Sequence, residues 1–83
     1  MDRFQVSKNI GEIASQYNVR SYDVMVQYQE IFERLYQRRL NNDLKNGRPV
    51  SNLFSEYNTQ IRPPALDATR RFFRRYADAY KCE

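Results

Sequence analysis

Between Val6 and Tyr80 the apolar side chains recur at spacings of three and four residues, while alternation with a period of two is almost absent. A chain patterned this way buries one face of each of several helices, so the expected fold is all-α. Val6, Ile10, Ile13, Ala14 and Tyr17 form the first such face, and the spacing predicts a helix over 8–17. Asn9 with Glu12 offers a capping box at its start, Ser7 is the competing N-cap, and Asn18 suits a left-handed stop. Gly11 inside this helix costs about 1 kcal/mol against alanine, so the helix needs tertiary packing.

Ser21 is placed to cap a long helix over 21–46. Its stripe is Val24, Tyr28, Ile31, Phe32 and Leu35, widened by Met25 and Tyr36. Beyond Tyr36 the stripe decays, because Arg39 and Asn42 fall on its continuation. Leu40 and Leu44 align instead with Tyr22 and Val26 on another flank of the same helix. Asn46-Gly47 stops this helix, and Pro49 fits the first turn of a third, over 49–61, which carries Val50, Leu53, Phe54, Tyr57 and Ile61. Pro63-Pro64 is expected to end that helix and open a fourth over 64–80. The expectation is a compact all-α bundle of about four helices, short, long, short and medium, forming a single domain over 1–83. Its links of two to four residues favour packing between sequential neighbours.

With 83 residues the core is thin, and seven Tyr and five Phe supply much of the apolar surface. The same composition excludes most chemistry. There is no histidine, so the commonest general base and metal ligand are both missing. The only cysteine, Cys82, cannot build a zinc site or an intramolecular disulfide, and two glycines cannot make a phosphate-cradling loop. No enzyme activity, metal or cofactor is therefore expected. The longest apolar run is Val24-Met25-Val26, so no membrane span is expected, and the cysteine usage suits a reducing, cytoplasmic setting.

Two surfaces and one motif suggest binding. Residues 62–81 hold six basic and two acidic side chains, a balance of +4 that equals the net charge of the whole chain. Arg70, Arg71, Arg74 and Arg75 share one face of the last helix and could neutralise phosphates. The same face could instead compensate itself, because Asp67 precedes Arg71 by four residues and Arg74 precedes Asp78 by four. The second surface is the flank of Tyr22, Val26, Leu40 and Leu44, a candidate protein interface or homodimer face.

The motif spans residues 10–29. Ile13 and Ala14, Tyr17 before a turn, Val19 after it and Val24 in the next helix resemble the helix-turn-helix of DNA-binding proteins. Asn18 stands where that family has glycine, and Gln27 where it has a second buried apolar residue. The resemblance implies that Arg20, Ser21 and Gln29 would read or position a duplex, beside Tyr22, Met25 and Val26. The leading expectation is a nucleic-acid-associated regulator, with DNA as the partner. The alternative is an adaptor, chaperone or inhibitor docking on a larger protein through aromatic and arginine-bearing helical surface.

Overall fold

Asn18 sets the first corner of the molecule. It adopts φ 54°, and the chain closes around it with Val19 N–H donating to the Ala14 carbonyl at 3.0 Å and Asn18 N–H to that of Ser15 at 3.4 Å. These two bonds form a Schellman stop, and asparagine tolerates the left-handed region better than other residues bearing a Cβ. Val19 is thereby turned into the core, with Ile13 of the preceding turn also buried there. A computed structural model describes residues 3–47 and 53–81, and the side chains of 3–47 and 58–81. Within those limits the protein has three helices, α1 (Arg3–Tyr17), α2 (Ser21–Lys45) and α3 (Leu53–Tyr80), and no strand. The single backbone bridge between distant segments joins Val19 to Lys81.

Three helices replace the expected four because Pro63 and Pro64 lie inside α3 and do not end it. An interior proline costs about 3 kcal/mol, since it removes a backbone donor and crowds the carbonyl four residues back. Those positions, Thr59 and Gln60, are exposed, as are both prolines, so water can reach the affected carbonyls. The opposite face is continuous across the prolines: Ile61, Ala65, Leu66, Thr69, Phe73 and Ala77 are all buried. Ile61, Leu66 and Phe73 each contribute about 1.5–3 kcal/mol on burial, which is of the size needed to offset about 3 kcal/mol for each proline. Pro49 and Val50 lie outside the described residues, as does Cys82.

Two further expectations fail locally. Helix α1 begins at Arg3, so Asn9 is not a cap; its Nδ2 donates to the Gln5 carbonyl at 2.7 Å from inside the helix. Ser21 is the first residue of α2, and Arg20 holds the N-cap position in extended backbone without a side-chain capping bond. Asp23 stabilises that end instead. It sits in the first turn, where negative charge suits the helix dipole, and accepts from Arg20 Nε at 2.9 Å and Nη2 at 3.3 Å. At the other end of α2, Gly47 with φ 73° donates to the Leu44 carbonyl, the stop expected for Asn46-Gly47.

Helices α2 and α3 form an antiparallel hairpin. The α1–α2 turn meets the end of α3 at Lys81, and Ile61 near the other end packs on Phe32, Leu35, Tyr36 and Leu40. At 1.5 Å per residue α2 and α3 are about 37 and 42 Å long, but α1 only about 22 Å, so α1 covers just one half of the hairpin. The radius of gyration of 14.3 Å exceeds the roughly 12 Å of a compact chain of this length, and the extents are 49 × 23 × 15 Å. The main core lies where all three helices meet, around Ile13, Val24 and Phe73, each with no exposed surface. Towards the far end of α2 the core turns polar, with Asp43 buried and 3.9 Å from Arg39.

Candidate nucleic-acid interface

The last half of α3 is held rigidly from one side. Phe73, Thr69 and Ala77 are buried, and Phe73 makes edge-on contacts with Phe72 at 5.1 Å and Tyr80 at 5.5 Å. Thr69 completes that side by donating its hydroxyl to the Ala65 carbonyl at 2.7 Å. The helix period then sends Arg70, Arg71, Arg74 and Arg75 outward, and all four are exposed. None of the four forms an ion pair or side-chain hydrogen bond among the described residues.

The self-compensated arrangement that the spacing allows is therefore not adopted. Asp78 pairs with Lys81 at 2.7 Å and not with Arg74; that hydrogen bond and the ammonium charge hold its carboxyl below the ordinary carboxylate range. Asp67 makes no ion pair with Arg71. Arg70 with Arg74, and Arg71 with Arg75, are like-charge pairs one turn apart, each costing about 0.2–0.5 kcal/mol in a solvated helix.

The tertiary fold adds residues that the sequence did not single out as ligands. The last turn of α1 lies beside the arginine face, and two recesses of about 460 Å³ each open between them. Gln16, Tyr17 and Arg74 line both; Arg70 and Arg71 flank one, Arg75 and Lys81 the other. Tyr17 appears in the sequence as one more member of the apolar stripe, and it does pack half-buried against the core. Nothing in its spacing marks its second role, because the neighbouring arginines arrive from a helix more than fifty residues away in the chain.

The residues of the helix-turn-helix resemblance divide. Ile13, Ala14, Val19 and Val24 are buried as the resemblance implies, and Tyr17 and Gln27 are half-buried. Its reading face is not brought together. Arg20 is engaged with Asp23, Ser21 and Tyr22 lie exposed at the corner, and Met25 and Gln29 line a different groove, about 940 Å³, shared with Arg3, Val6, Ser7 and Ile10 of α1. Tyr28 and Phe32 also line this groove, and Arg34 and Arg62 reach it. Burial pushes the Tyr28 phenol above its ordinary value, and the nearby Arg62 charge offsets part of that rise.

The flank expected to form an interface is not one patch. Tyr22 and Leu44 are 66% and 51% exposed, but they stand about 33 Å apart along α2. Leu40 between them packs on Ile61, and Val26 is half-buried. Among the described residues no three His, Cys, Asp or Glu side chains gather as metal ligands, and no helix is long and apolar enough to cross a membrane. Set against protein-family models, curated proteins and solved structures, the chain matches none of them.

Proposed function

We propose that this protein acts by binding nucleic acid, with the arginine face of α3 holding the phosphate backbone. The observation that carries this reading is that Arg70, Arg71, Arg74 and Arg75 are exposed and, among the described residues, without side-chain partners, although Asp67 and Asp78 lie on the same helix face. Unpaired guanidiniums lose no internal bond when they meet a phosphate, and their fork geometry suits two of its oxygens. The contact is to the backbone and confers no sequence preference by itself.

The test is a titration of the full chain with a labelled oligonucleotide at low salt, comparing the native protein with Arg70→Ala/Arg74→Ala. Removing the Arg70–Arg74 like-charge pair leaves the fold at least as stable, so the variant should keep its thermal midpoint and lose affinity. Unchanged affinity would overturn the proposal.

A second reading, docking on a larger protein, is supported by the apolar part of the groove between the helices, Val6, Ile10, Met25, Tyr28 and Phe32, and not by the dispersed Tyr22 and Leu44. A stoichiometric partner retained after nuclease treatment, and released by Met25→Asp, would favour it.

A further inference from the structure

We propose that Tyr17 is the seat for an unpaired nucleobase, so that the nucleic acid taken by the arginine face is single-stranded; this rests on the nucleic-acid reading above. Tyr17 lies in the last turn of α1, packed on the core yet only half-buried. Its ring makes no aromatic contact and its hydroxyl no hydrogen bond among the described residues. Two recesses of about 460 Å³ each are lined by it, and Arg74 borders both. An aromatic ring backed by the core, with an arginine bordering the same recesses, offers a stacking platform, since every base has a π-face for the ring. The exposed amide of Gln16, also without an intramolecular hydrogen bond, lines both recesses and carries donors and an acceptor for a base edge.

The charges are placed for a strand that passes over the ring. Arg70 and Arg71 border one of the recesses that Tyr17 lines, Arg75 and Lys81 the other. A base seated on Tyr17 thus has Arg70 and Arg71 available for the phosphate at one recess and Arg75 for the phosphate at the other. In a duplex the bases stack on one another and present only their edges in the grooves, so a paired base cannot reach this ring. A duplex would engage the arginines alone. Asp67 and Asp78 border the recesses as well, and Lys81 already neutralises Asp78.

Anisotropy titrations of the full chain with one short sequence, as a single strand and as its duplex, in deoxy and ribo form, test the inference. The single strand should bind more tightly than its duplex, and the better of the two sugars identifies the source. Tyr17→Leu should weaken single-strand binding about tenfold, leave duplex binding and the salt slope unchanged, and be rescued by Tyr17→Phe. Equal losses on strand and duplex, or no loss on the strand, would overturn the base seat. Photocrosslinking of a strand carrying a reactive uracil gives a measurement that needs no variant. Attachment within the peptide containing Gln16 and Tyr17 supports the seat, and attachment confined elsewhere contradicts it. If Arg70→Ala/Arg74→Ala binds every nucleic acid as the native chain does, the underlying reading fails. If the arginine effect persists while Tyr17→Leu is silent, only the base seat fails.

Discussion

Replacing Pro63 and Pro64 together by alanine should make the protein more stable, and the sign of the change decides how the chain passes through residues 59–66. If α3 is continuous, both prolines lie about ten residues into a helix, where each costs about 3 kcal/mol relative to alanine. Alanine also restores flexibility to the unfolded chain, which takes back about 0.4–1 kcal/mol at each site. The net gain is about 2 kcal/mol for a single replacement. The pair gains more, though less than double, because adjacent prolines share one local distortion. Both side chains are exposed, so no packing is lost. In urea, with a slope of about 1 kcal/mol per molar for a chain this small, the midpoint followed by far-UV circular dichroism should rise by about 2 M or more. Had Pro63-Pro64 instead opened a separate helix, the prolines would occupy first-turn positions where they are well tolerated. Alanine would then be neutral or destabilising. An unchanged or lower midpoint for the double variant would refute the continuous helix.

Other outcomes follow from single sites. Gly11→Ala, at an exposed helical position with no neighbour near the added methyl, should gain about 1 kcal/mol, or about 4–8 °C in thermal midpoint. Phe73→Ala should cost about 3–5 kcal/mol, a large part of the roughly 4–12 kcal/mol available to a chain of this length, and calorimetry should find little cooperative unfolding left. Tyr28 has a phenol raised above 10.0 by burial, so the unfolded chain releases that proton first. Stability should be full below pH 10 and fall as pH rises through the folded value, and urea midpoints should show Tyr28→Phe losing less over that range.

Much of the fold was legible because its stops are local. Asn18 and Gly47 end helices through their own backbone freedom, and the sequence marks both. The start of α1 was misplaced because Asn9 and Glu12 have the spacing of a capping box, yet Val6 and the tertiary contact draw the helix back to Arg3. Pro63-Pro64 misled for a related reason. A proline rule judges the backbone alone, whereas Ile61, Ala65 and Leu66 show that the buried stripe continues across the pair. In the candidate site, the arginine face follows from helical period, but its lack of partners among the described residues does not, since spacing allows both Asp67 with Arg71 and Asp78 with Arg74. The recesses beside Tyr17 need α1 and α3 to meet, and nothing local encodes that meeting.

The salt dependence of nucleic-acid affinity tests the central claim most directly. If Arg70 and Arg74 each neutralise a phosphate, the logarithm of the binding constant should fall linearly with the logarithm of salt. Arg70→Ala/Arg74→Ala should then flatten that slope by about 1.4 on a single strand or about 1.8 on a duplex. A slope that the double variant leaves unchanged, or no binding even at low salt, would contradict it.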